Sequence, residues 1–135
     1  MARSYVVDTN IVSAVLRQDR AAATRLDEAF RLGGTFYLCP VVYYEVVRGL
    51  LHTPVPGMVE VFDEMRRSML WQEFTPTDWQ CAARLWAEFR SAGRPRGDAD
   101  ILIGAYALSR SAVLVTADER HFAGLGLTTE NWRDE

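Results

Sequence analysis

Asp8 closes the apolar run Ser4-Tyr5-Val6-Val7 and is followed by Thr9 and Asn10. A run of β-branched and aromatic residues reads as a strand buried on both faces. The polar residues after it suit a helix N-cap. Three later stretches place acids in similar positions. Glu45 lies in a helical turn that is otherwise apolar, after Thr35-Phe36-Tyr37-Leu38-Cys39. Asp100, with Asp98, opens the apolar stretch Ile101 to Leu108. Asp118 follows Ala112-Val113-Leu114-Val115-Thr116. Taken singly, each of these acids reads as an ordinary cap or a solvated side chain. Together they describe a site, because parallel strands bring such ends to one edge of a sheet, where ligands bind. Clustered carboxylates repel and call for a cation. Oxygen ligands without His or Cys clusters favour Mg²⁺ or Mn²⁺ over Zn²⁺. Carboxylate-held Mg²⁺ is suited to in-line displacement at phosphorus.

The elements that must position these acids alternate in kind. Asn10 to Arg17 and Ala21 to Leu32 have helical spacing, the second with Leu26, Phe30 and an alanine face inward; Gly33-Gly34 stops it. Thr35 to Cys39 reads as a buried strand, and Pro40 opens a helix, Val41 to Leu51. Met58 to Leu70 reads as a third long helix and Trp71 to Phe74 as a short strand. Thr75-Pro76-Thr77 opens a helix from Asp78 to Ala92, whose apolar face is Trp79, Ala82, Ala83, Trp86 and Phe89, with the tryptophans in the core. After the loop Gly93 to Gly97 comes the helix that Asp98 and Asp100 open, with small residues Gly104, Ala105 and Ala107 packing on the sheet. Ala112 to Thr116 is the clearest late strand. Gly124 to Thr129 adds a short last one, and Glu130 to Glu135 reads as a polar tail. Strands separated by helices imply an α/β fold with a parallel sheet covered on both faces. The expectation is one domain, residues 1–135.

Composition narrows the chemistry. The formal charge is −3 and every basic side chain is arginine. Without lysine there is no Walker-type loop, Schiff base or lysine general base. Only His52 and His121 are present and no Gly-x-Ser-x-Gly elbow occurs, which argues against a serine triad. Both histidines read as surface or capping residues. Cys39 and Cys81 lie in apolar stretches and read as reduced core residues. With no secretory leader before the first strand and no run long enough to span a bilayer, the expected location is cytoplasmic.

The chain resembles the PIN-domain nucleases, and within them the VapC-type toxins of bacterial toxin–antitoxin pairs. Val6-Val7-Asp8-Thr9-Asn10-Ile11 is similar to the family's first motif, and Glu45-Val46-Val47-Arg48-Gly49 to the second. Asp100 to Leu108 resembles the third motif, and Leu114-Val115-Thr116-Ala117-Asp118 with His121-Phe122 the fourth. The stretch Leu127 to Trp132 is similar to the family's ending. The resemblance implies a three-layer α/β/α sandwich with a five-stranded parallel sheet. It implies a Mg²⁺- or Mn²⁺-dependent endoribonuclease with Asp8, Glu45, Asp100 and Asp118 as the acidic, metal-holding site. Thr9, Asn10 and Thr116 would support those acids from behind. It also implies a homodimer, and a small antitoxin that blocks the site and joins it in a larger complex.

Some assignments stay open on sequence grounds. Asp98 competes with Asp100 for the third position; two residues apart on a helix, they do not face the same way. The aliphatic run aligns from Asp100, leaving Asp98 to cap the helix or assist a second metal. Arg94 and Arg96 are candidates for phosphate contact, against a solvated loop or a salt bridge. Arg48 is placed to hold an acid or a phosphate. Two other functions compete: a Mg²⁺-dependent phosphatase-like domain, and a non-catalytic PIN-like binding module.

Overall fold

The computed structural model describes residues 3–133. Five strands form one parallel sheet: β1 Ser4–Val7, β2 Thr35–Leu38, β3 Leu70–Trp71, β4 Val113–Val115 and β5 Thr129–Glu130, in the order β3-β2-β1-β4-β5. β1 is central and its residues Val6 and Val7 are buried. It pairs with β2 in the register Tyr5 to Phe36 and with β4 in the register Val6 to Leu114.

Six helices cover the sheet. The crossovers from β1 to β2 and from β2 to β3 run in one direction. They carry α1 Thr9–Leu16, α2 Arg20–Arg31, α3 Pro40–His52 and α4 Met58–Arg66. The return from β3 to β4 carries α5 Pro76–Ser91 and α6 Asp98–Ser109. Right-handed crossovers in opposite directions put the two helix groups on opposite faces. The expected three-layer sandwich is the result. Tyr5 stacks on its register partner Phe36 at 5.0 Å, and Trp132 meets Tyr5 edge-on at 5.4 Å.

Several expectations need correction. β5 is Thr129–Glu130 and Trp132 is 2% exposed, so the stretch read as a polar tail contributes the second residue of β5 and a core residue; Asp134 and Glu135 lie outside the described residues. α4 ends at Arg66, because Met69 turns into the core ahead of β3. α5 buries Asp78, Ala82, Leu85 and Phe89, while Trp79 is 54% and Trp86 42% exposed. The large rings drew the apolar face toward themselves in the sequence reading. Gly104 does make a close approach, but a Cβ there would stand 2.5 Å from Leu125 Cδ2, in the segment before β5. Cys39 and Cys81 are free, and Cys39 is buried.

Candidate active site

Asp8 ends β1 and caps α1, and its backbone N–H continues the sheet by donating to the Val115 carbonyl at 2.8 Å. Its carboxylate accepts from the Thr9 N–H at 2.8 Å and from the Thr116 hydroxyl at 2.8 Å. The Thr116 oxygen in turn accepts from the Asp118 N–H at 3.0 Å. Thr116, fully buried at the end of β4, therefore fixes both aspartates.

The next two residues repeat the pattern. The Thr9 hydroxyl donates to Glu45 Oε1 at 2.7 Å, tying α1 to α3. Asn10 donates from Nδ2 to Asp118 Oδ2 at 3.1 Å and accepts at Oδ1 from the Ala117 N–H at 3.1 Å. Asp8, Thr9 and Asn10 thus bind β4, Glu45 and Asp118 into one network.

Electrostatics join the fourth acid. Burial pushes the Asp8 carboxyl up to about 6; hydrogen bonds from Thr116 and Thr9 oppose this, while Asp100 and Glu45 add repulsion. Burial likewise raises Asp100, with Glu45 and Asp118 adding to the rise and His121 and Arg96 opposing it. Asp8 thus lies within reach of the charges of Asp100 and Glu45, and Asp100 within reach of those of Glu45 and Asp118. Asp98 is set apart: it borders a surface cavity with Trp79 and Trp86.

The basic residues divide. Arg48 lies 3.7 Å from Glu45 Oε2 and over the Tyr44 ring at 5.0 Å. Arg96 is held by the carbonyls of Arg94 and Ala123 and stacks on Phe89 at 4.8 Å, so it braces the loop before α6. Arg94 is exposed, also over Phe89. His52 is exposed at the end of α3. His121 is exposed, as the surface reading expects, and its Nδ1 lies 3.6 Å from Asp100 Oδ2. The signal for that contact was its spacing, one turn after Asp118 in the 3₁₀ turn Glu119–Phe122, where the buried Phe122 sets its direction.

The donor set is oxygen throughout, and its crowded charge is of the kind a hard cation relieves. Among the described residues, no three His, Cys, Asp or Glu side chains close around one point as a finished metal cage would. The residues fit a divalent cation in chemistry and shared edge, and holding one requires the carboxylates to draw in.

The sequence matches the PIN domain family over residues 5–126. It is 29% identical over 117 residues to Ribonuclease VapC19 of Mycobacterium tuberculosis, covering 87% of this chain and 90% of that one. The structure resembles that of VapBC2 from Rickettsia felis bound to a DNA fragment from its promoter. There the TM-score is 0.83 and the identity 21%, over 96% of this chain and 98% of that one. A toxin–antitoxin complex from Klebsiella pneumoniae is similar with a TM-score of 0.75 and 16% identity, over 97% and 99% of the chains. At such identities the solved structures speak for the fold. Their agreement with the family match over most of the chain leaves one conclusion: this protein belongs to the PIN-domain family.

Proposed function

We propose that this protein is a Mg²⁺- or Mn²⁺-dependent endoribonuclease, the toxic member of a toxin–antitoxin pair. The relative named ribonuclease and the resemblance to a toxin–antitoxin complex support the class. The observation that carries the chemistry is the network from Asp8-Thr9-Asn10, which ties Glu45 and Asp118 into one edge of the sheet.

Asp8, Asp100 and Asp118 would hold the cation, with Glu45 holding a second ion or orienting water. The ion, when bound, supplies charge neutralisation and Lewis acidity at phosphorus and activates water for attack. Thr116 and Thr9 keep Asp8 and Glu45 aimed by hydrogen bonding their oxygens. Asn10 holds Asp118 against β4. Arg48 and His121, which lie beside Glu45 and Asp100, would meet phosphate oxygens of the RNA. Arg94 is exposed enough to reach RNA, whereas Arg96 serves the loop.

A second copy of this chain, forming a homodimer, would be one partner. The antitoxin, of a kind that blocks the acids, would be the other partner.

The test is cleavage of total RNA by purified protein with Mg²⁺, Mn²⁺ or EDTA, beside Asp8→Asn. Discrete fragments that need both the metal and Asp8 are expected. Turnover by Asp8→Asn at the wild-type rate would overturn the reading.

A further inference from the structure

A cavity of about 330 Å³ opens next to the acids, between α1, α3 and the start of α4. Glu45 forms part of its wall while its carboxylate accepts from Thr9, so cavity and acidic edge share one side chain. Leu16, Val46, Leu50 and Met58 make the walls apolar. Ser13, Thr53 and Arg17 are the other polar residues of its lining. Apolar walls with a few convergent polar groups are what an organic ring needs for grip and orientation.

Gly49 is part of the cavity lining. It lies within α3, where glycine weakens a helix relative to alanine. No positive φ demands it, and a Cβ built there meets nothing within 4 Å. Gly104, by contrast, is required by its neighbour Leu125. Position 49 therefore has room for a larger side chain, which would project from the cavity lining.

We propose that this cavity takes one unpaired nucleobase of the RNA, belonging to a nucleotide adjacent to the phosphate that is cut. The inference rests on the ribonuclease reading above and names the class of substrate. A base can enter such a cavity only when it is out of the helical stack, so the target is a loop, bulge or single strand. Ser13 and Thr53 would bond the edge of the base, and Arg17, exposed at the end of α1, would meet the flanking phosphate.

The experiment uses the full chain in two arms. In the first, an RNA oligonucleotide spanning a mapped cut carries a single abasic ribose at successive positions. Wild-type cleavage should fall about tenfold or more at one position beside the cut and little elsewhere. Gly49→Leu, with its fold checked by circular dichroism, should cut the intact oligonucleotide about as slowly and ignore the abasic change at that position. In the second arm, AMP, CMP, GMP, UMP and ribose 5-phosphate are titrated into metal-free, ¹⁵N-labelled protein. The nucleotides should shift the amides of Ser13, Gly49 and Thr53, and ribose 5-phosphate should not. A flat abasic scan by a cutting enzyme, or equal shifts with ribose 5-phosphate, overturns the proposal. So does a Gly49→Leu variant that cuts like wild type but no longer binds antitoxin, which would give the cavity to a protein side chain. Nucleotide binding without any metal-dependent RNA cleavage would keep the cavity assignment and sink the ribonuclease reading instead.

Discussion

Two buried aspartates show how one residue type is put to opposite uses. Asp78 is 1% exposed and Asp8 7% exposed. Asp78 sits under a cation: Arg110 donates to both its oxygens at 3.1 and 3.2 Å, and Ser109 and the Thr75 N–H add bonds. Burial alone would raise its pKa, but these donors outweigh it and hold the carboxyl below its ordinary range. Asp8 has two neutral donors and faces Asp100 and Glu45, and it rises to about 6. The first pair is complete in itself and serves the fold. The second is incomplete, which is the condition of a group kept for something that binds later.

Breaking the complete pair should cost most. Arg110→Ala strands a buried charge and is expected to destabilise the chain by about 3–5 kcal/mol, read as a large fall in denaturation midpoint. A loss under 1 kcal/mol would mean that Asp78 finds water or another partner.

Removing the incomplete charge should do the reverse. A folded-state pKa above the unfolded value means that the folded chain binds the proton more tightly. Stability therefore falls as pH rises from the ordinary 3.8 through about 6, and the cost is complete above that. In EDTA at pH 7–8, Asp8→Asn should be more stable than wild type by about 2–3 kcal/mol, with the gap closing near pH 4. Mn²⁺ should raise the wild-type melting temperature and leave the variant unmoved. A variant less stable than wild type at pH 8 would contradict the contrast.

A finer probe is Thr116→Val. It removes the hydroxyl that bonds Asp8 and accepts from Asp118, at a cost of about 1–2 kcal/mol, and more Mn²⁺ should be needed for half-maximal cleavage. An unchanged metal requirement would show that Thr116 serves packing alone. The smallest expected effect lies at the cap of α5, where Thr75 and Asp78 form a reciprocal capping box. Thr75→Ala should cost about 1 kcal/mol and leave cleavage of RNA unchanged.

The parallel sheet and the acids were legible because each depends on local pattern: an apolar run, then a carboxylate, then a helix. Thr9, Asn10 and Thr116 were legible as supports only through the family resemblance. What bonds to what, as when Thr9 reaches Glu45, is a matter of tertiary approach between α1 and α3. The outward turn of Trp79 and Trp86 was hidden because helical spacing equally allowed a face of Asp78, Ala82, Leu85 and Phe89, and an aspartate does not announce itself as buried. It is Arg110, 32 residues on, that makes that burial tolerable. Trp132 was hidden for the converse reason, one aromatic among polar neighbours. His121 and Asp100 meet only because the sheet edge brings the start of α6 beside the turn after β4.

The placement of β1 in the middle of the sheet has a consequence in time. Its neighbours β2 and β4 arrive about thirty and more than one hundred residues after it, and β5 later still. A chain emerging from the ribosome can pair β1 with β2 early, yet Asp8 gains its partner Thr116 only after more than one hundred further residues have been made. The acidic edge is thus completed late, and on the ribonuclease reading proposed above an unfinished copy of this protein would lack it.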